Sequence, residues 1–154
     1  VAVSRDGGRS WLNLSSALPK VHHGKPSINC FVLSPDGNGI LVGMDVHGLW
    51  ASWDAGRSWR CLLARRYIKA IACSADGEKI AAAAAVPWYG STYPGGIYMS
   101  VDKGKTWRRI DQNLPACAAP TCLAWDPNRP GRLWLGTSGT GAFVGELQKA
   151  SLTS

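Results

Sequence analysis

Three aspartates stand in near-identical company. Asp6 lies in Ser4-Arg5-Asp6-Gly7-Gly8-Arg9-Ser10-Trp11, Asp54 in Ser52-Trp53-Asp54-Ala55-Gly56-Arg57-Ser58-Trp59, and Asp102 in Ser100-Val101-Asp102-Lys103-Gly104-Lys105-Thr106-Trp107. A carboxylate among hydroxyls could serve a calcium loop or an acid catalyst. The spacing favours a structural role instead. All three copies share the skeleton Ser-x-Asp-x-Gly-x-(Ser/Thr)-Trp and start 48 residues apart. Self-similarity at a fixed period of this length marks an array of supersecondary units. Each position has a turn-building use: the aspartate can bond backbone amides across a tight loop, and the glycine can take positive φ without steric cost. Ser58 or Thr106 adds a hydroxyl bond, and the closing tryptophan buries a large ring beneath the hairpin.

Asp45 lies outside that skeleton, in Gly43-Met44-Asp45-Val46-His47-Gly48-Leu49-Trp50. Acid–base chemistry shared between carboxyl groups needs two of them, and no credible partner for Asp45 is evident. Basic and aromatic side chains collect in three other stretches: Lys20, His22, His23 and Lys25; Arg65 and Arg66; Trp88, Tyr89 and Tyr93. Adjacent histidines on a strand would point to opposite faces and no third ligand appears, so His22 and His23 read as a solvated loop rather than a metal site. Five cysteines leave at least one without an intrachain partner. Cys30 and Cys122 hold matching places before the turns at Ser34 and Asp126, where the intervening copy has Ala70, and read as small core residues. Cys117 and Cys122 could form a local disulfide, but their spacing is no metal signature. Neither a metal nor a cofactor is expected.

Strands must position all of these residues. Apolar runs flank each aspartate loop, as in Leu49-Trp50-Ala51 and Cys61-Leu62-Leu63, and two such runs around a short polar loop make a β-hairpin. Two strands run around the first loop, at Val1–Val3 and Trp11–Leu14. A complete unit follows with strands at Ile28–Leu33, Ile40–Met44, Leu49–Ser52 and Trp59–Leu63. The next has Tyr67–Cys73, Lys79–Ala85, Ile97–Ser100 and Trp107–Ile110. The last has Thr121–Trp125, Arg132–Gly136 and Gly141–Gly145, giving thirteen strands. Ala81–Ala85 follows a turn and takes a second-strand slot, so it reads as a tightly buried strand despite its helix propensity. In the last unit Gly145 and Leu147 replace the serine and aspartate of the loop. Residues 1–147 are expected to form one domain or part of one, with a polar tail over 148–154.

The 154 residues, 45% of them hydrophobic, suffice for one packed core. No apolar stretch approaches the roughly 18 residues of a membrane-spanning helix. The net charge of +7 suits an acidic partner, but the basic residues are dispersed and no nucleic-acid module appears, so nucleic acid is not the expected partner. Val1 already lies in a strand, with no signal peptide before it, which suggests a fragment or a processed product. Asn13-Leu14-Ser15 fits a glycosylation sequon, relevant only in a secretory protein.

The repeated loop is identified as the Asp-box, or BNR repeat, with Ser4, Asp6, Gly8, Trp11, Ser52, Asp54, Gly56, Trp59, Ser100, Asp102, Gly104 and Trp107 as its structural residues. That family occurs on β-propeller blades of sialidases, some endoglucanases, sortilin-type receptors and photosystem II assembly factors. The resemblance implies an all-β propeller of four-stranded antiparallel blades, with the box between the third and fourth strands. This chain would supply about three to three and a half blades, a partial ring or one completed by association with other copies. Boxes would then occupy one rim together with the turns between first and second strands. The other rim would collect Lys20, His22, His23, Lys25, His47, Arg65, Arg66, Trp88, Tyr89 and Tyr93, the candidate binding surface.

Two functions follow from this resemblance. Across Ala72–Trp107 the chain resembles assembly-factor propellers of the photosystem II stability type, which implies a non-catalytic scaffold binding a protein partner. The alternative is a fragment of a secreted glycoside hydrolase: Gly43–Trp50 is similar to the segment that carries a catalytic aspartate in xyloglucan-cleaving endoglucanases. Asp45 matches that carboxylate, while Met44 and His47 depart from the pattern. The sialidase arginine triad and tyrosine have no counterpart. The scaffold reading is preferred, with no catalytic residue assigned, a glycan as a further candidate ligand, and an extracytoplasmic location implied by the resemblance.

Overall fold

A computed structural model describes residues 1–20, 27–65, 67–85, 95–115 and 119–147. Its described residues form thirteen strands and no helix. A two-stranded sheet pairs β1 (Ala2–Val3) with β2 (Leu12–Asn13). A four-stranded sheet follows with β3 (Ile28–Leu33), β4 (Ile40–Met44), β5 (Gly48–Ser52) and β6 (Arg60–Leu63). The next has β7 (Ile68–Cys73), β8 (Ile80–Ala84), β9 (Gly96–Ser100) and β10 (Arg108–Arg109). The last is three-stranded, with β11 (Ala119–Trp125), β12 (Arg132–Ser138) and β13 (Ala142–Glu146). Every pairing is antiparallel and joins consecutive strands.

The sheets pack face to face in chain order. Leu41, Leu49 and Ala51 of the second sheet meet Ile68, Ile71, Ile80, Ala82, Ala84 and Tyr98 of the third. The opposite face of the third sheet sets Ala70, Ala83 and Ile97 against Leu135, Leu123 and Phe143 of the fourth, and Ala72 and Ala81 against Leu133 and Trp125. Strand β8 is therefore covered on both sides, and its alanines alternate between the two interfaces, as the period of two requires. Small side chains there admit the large residues of β11–β13. Packing of both faces outweighs the helix propensity of the alanine run.

The first strands of the successive sheets lie close together, β7 against both β3 and β11, while the last strands spread apart. Four antiparallel strands per sheet, sheets stacked by their faces, and first strands converging on one axis define β-propeller blades. The described residues make two complete blades between a two-stranded and a three-stranded sheet.

Repeat geometry accounts for several side chains at once. Cys30 pairs with Gly43 and Cys122 with Gly136, whereas the intervening blade pairs Ala70 with Ala83. A Cβ on Gly43 would meet Cys30 Sγ at 2.6 Å, and one on Gly136 would overlap Cys122 Sγ. Cysteine opposite glycine and alanine opposite alanine fill equivalent positions in two ways. Cys30 is half-buried but Cys122 is exposed, so the core role expected of both cysteines does not hold for Cys122. Burial raises the Cys30 thiol to about 11, in keeping with a packing role.

Candidate functional site

The three aspartate loops are closed circuits. Asp54 Oδ1 accepts Ser52 Oγ at 2.7 Å and the Ser58 amide at 2.9 Å, while Oδ2 accepts Ser58 Oγ at 2.6 Å. Ser52 Oγ in turn accepts the Gly56 amide at 2.7 Å. Asp102 repeats the set with Ser100, Thr106 and Gly104, and Asp6 with Ser4, Ser10 and Gly8. The Ser10 bonds hold Asp6 down at about 2, and those from Ser58 and Thr106 hold Asp54 and Asp102 well below the ordinary carboxylate range. Two successive residues adopt positive φ in each loop: Gly7 and Gly8, Ala55 and Gly56, Lys103 and Gly104. A Cβ on Gly56 would press Leu14 Cδ1 of the preceding sheet at 2.8 Å, and one on Gly104 would press Leu62 Cδ1 at 2.7 Å. Glycine is thus needed for the turn and for the blade contact together.

Equivalence of the three tryptophans holds only in part. Trp59 packs on the Leu14–Val42 cluster and donates Nε1–H to the Leu14 carbonyl at 3.1 Å; Trp107 packs on the Leu41–Tyr98 cluster. Trp11 is 65% exposed, with its Nε1–H bonded to Gly8 O in its own loop at 3.2 Å. The loop tryptophans lean on the preceding sheet, and no described sheet precedes β1–β2. The same logic explains a groove of about 650 Å³ beside β13, lined by Ile110, Leu114, Trp125, Leu133, Leu135 and Phe143 among others. Ile110 occupies the position of Leu14 and Leu62, but among the described residues no aspartate loop from a following blade covers it.

Asp45 opens the β4–β5 loop on the opposite rim. Its Oδ2 accepts Ser27 Oγ at 2.7 Å, and its Oδ1 accepts Asn29 Nδ2 at 2.7 Å and Lys69 Nζ at 3.3 Å. Burial pushes its carboxyl upward, but the bonds from Asn29 and Ser27 and the Lys69 ammonium outweigh this and hold it below its ordinary value. The carboxylate is therefore ionised at neutral pH. A carboxylate offers about four lone-pair sites; three carry donors here, and the side chain is 32% exposed. Among the described residues, Oδ2 carries a single donor and keeps one acceptor position without a partner. The backbone is fixed as well, with the Asp45 amide bonded to Ser27 O at 3.2 Å and its carbonyl accepting the Tyr67 amide at 2.6 Å.

Among the other candidate rim residues, Lys20 is exposed, and half-buried His47 accepts the Trp50 indole N–H on its carbonyl at 2.8 Å. Arg65 does join this neighbourhood. A Cβ on Gly48 would lie 3.0 Å from Arg65 N, so the β6–β7 connection crosses directly over the Asp45 loop. The Arg65 guanidinium sits 5.3 Å over the Tyr98 ring, a cation–π contact. His22, His23, Lys25, Arg66, Trp88, Tyr89 and Tyr93 lie outside the described residues. Sequence reasoning missed Ser27, Asn29 and Lys69. The available signal was a polar residue at the second position of two otherwise largely apolar strands.

Of the ten carboxylate side chains in the chain, only Asp45 and Asp111 lie on this rim; the others sit in aspartate loops, in turns between first and second strands, or at the end of β13. Asp111 is held by Arg109 Nε and Nη2 at 2.6 and 3.0 Å. Among the described residues, no group of three His, Cys, Asp or Glu could hold a metal ion, and no helix is long and apolar enough to cross a membrane.

No protein-family model matches the chain. It is 27% identical over 156 residues to an oligoxyloglucan-reducing end-specific xyloglucanase of Emericella nidulans, covering 96% of this chain and 19% of the relative. The chain thus spans about a fifth of the length of that relative. Among solved structures it superposes on an ancestral GH74 enzyme with a TM-score of 0.70 at 19% identity, over 93% of this chain and 20% of that one. It also superposes on YCF48 from Cyanidioschyzon merolae with a TM-score of 0.56 at 19% identity, over 77% and 34%. At these identities the structural likenesses establish the propeller fold.

Proposed function

We propose that the chain is a propeller segment of a secreted glycoside hydrolase acting on xyloglucan-type glycans, with Asp45 as one of the two carboxylates. The observation that carries this reading is the state of Asp45: ionised, fixed through backbone and side chain, and open to a ligand on the rim away from the aspartate loops. The similarity to a xyloglucanase over nearly the whole chain supports it, so the hydrolase alternative displaces the scaffold reading preferred on sequence alone. The three aspartate loops are read as Asp-boxes, residues 1–147 as one propeller unit and 148–154 as its tail.

Glycoside cleavage needs one protonated and one ionised carboxyl group. Asp45 suits the ionised role, taking a proton from the attacking water or attacking the anomeric carbon itself. The acid that protonates the departing oxygen comes from elsewhere in the protein, since Asp111 is committed to Arg109. The test is Asp45→Asn in the full-length protein carrying this sequence, assayed by release of reducing ends from xyloglucan oligosaccharides. Turnover should fall by about 10²–10⁴-fold with the fold unchanged. Undiminished turnover would return the chain to the non-catalytic reading, which the open blade faces of β3 and β12–β13 support as protein-binding surfaces.

A further inference from the structure

We propose that Asn29 and Lys69 are positioning residues that clamp Asp45 from two successive blades, aimed by a bulge that their first strands share. The role assigned to them rests on Asp45 being the glycan-cleaving carboxylate. Each first strand slips by one residue against its neighbour: between Ile28 and Cys30, between Ile68 and Ala70, and between Pro120 and Cys122. The residues left out of the ladder are Asn29, Lys69 and Thr121, all exposed. A bulge frees a side chain from the in-and-out alternation and redirects it, which is why bulges recur beside active sites.

Two of these three side chains converge on one oxygen. Asn29 Nδ2 donates to Asp45 Oδ1 at 2.7 Å and to the Ile68 carbonyl of the next blade at 3.1 Å. Lys69 Nζ reaches the same Oδ1 at 3.3 Å from β7. Loading both on Oδ1 leaves Oδ2 with the Ser27 hydroxyl alone among the described residues, so Oδ2 is the oxygen with acceptor capacity to spare for a ligand. Among the described residues, the other titratable groups near the loop are His47 on the loop itself, Arg65 and Tyr67 on the β6–β7 connection, and Cys30 on β3, which feels the Lys69 charge. The Arg65 guanidinium lies over Tyr98, so the ion pair to Asp45 is made by Lys69. Because the clamp spans two blades, the reach of Oδ2 depends on how those blades pack. Thr121 has the same bulge in the following blade and provides an internal control.

The experiment combines carboxyl ¹³C NMR titration with steady-state kinetics on the full-length protein, the Asp45 resonance being assigned by its loss in Asp45→Asn. In Lys69→Met and Asn29→Ala the Asp45 titration midpoint should rise, and kcat on xyloglucan oligosaccharides should fall on the order of 10–100-fold with little change in KM. Lys69→Arg should recover most of both, and Thr121→Ala should alter neither. Unchanged midpoint and kcat in Lys69→Met and Asn29→Ala would overturn the proposal, as would equal effects from Thr121→Ala. If the midpoints move but Asp45→Asn still hydrolyses glycan, the clamp stands and the catalytic reading alone is lost.

Discussion

The cysteine–glycine pairs are the plainest case of one residue dictating another. Gly136 has no room for a Cβ because Cys122 Sγ already fills it, and the neighbouring blade solves the same problem with Ala70 and Ala83. Gly136→Ala should therefore cost about 0.5–1.5 kcal/mol, the cost of forcing the exposed Cys122 thiol off its rotamer, and adding Cys122→Ala should recover most of that loss. Denaturant melts of the two single variants and the double variant would measure the coupling. Simple additivity would show that the two side chains do not share this space.

Hairpins carry the blade contacts at the next scale up. The loop between β5 and β6 sends Trp59 onto Leu14, and the loop between β9 and β10 sets Gly104 against Leu62, so these two aspartate loops weld their own blades to the preceding ones. The same loops are tied within their own sheet, Ala55 N to Asn38 O at 3.0 Å and Lys103 N to Glu78 O at 3.0 Å. Identical motifs should then respond differently to the same change. Trp59→Ala should lower stability by about 1–3 kcal/mol, whereas Trp11→Ala, at a ring that is 65% exposed, should stay within about 0.5 kcal/mol. Thermal unfolding of the two variants in the 154-residue chain decides it. Equal losses would mean that the tryptophan acts within its own loop and not between blades.

The whole molecule presents two apolar faces at opposite ends of the blade stack. Phe31 and Leu33 are 62% and 52% exposed on β3, and Trp134 and Val144 are 44% and 52% exposed on β12 and β13. Phe31 and Leu33 pair with Val42 and Ile40, on the face that β1–β2 covers only over the later strands. Exposed apolar faces of this kind favour association, and among the described residues the outer edges of β1 and β13 add unpaired strand groups. Expressed by itself, the chain should self-associate at micromolar concentration, and Trp134→Glu combined with Phe31→Glu should shift it toward monomer in analytical ultracentrifugation. A wild-type chain that sediments as monomer throughout would show that these faces are tolerated in water.

Much of this was legible in the chain itself, because repeats write local chemistry in place. The period of 48 residues, the hairpin residues of each aspartate loop and the apolar runs set strand order and pairing, and the observed strands match that reading to within one or two residues at most ends. Those features depend on contacts a few residues apart along the chain. Asp45 could be singled out by its surroundings, but its partners could not, since Ser27, Asn29 and Lys69 reach it across 18, 16 and 24 residues and from two sheets. Exposure of Trp11 was equally hidden: its motif is the same as that of Trp59, and only the presence or absence of a sheet in front of it separates a packed ring from a solvated one. Local spacing determined which residues form turns and strands. The stacking of blades decided which of them are buried, paired or free to meet a ligand, because that depends on surfaces that the chain brings together only when it folds.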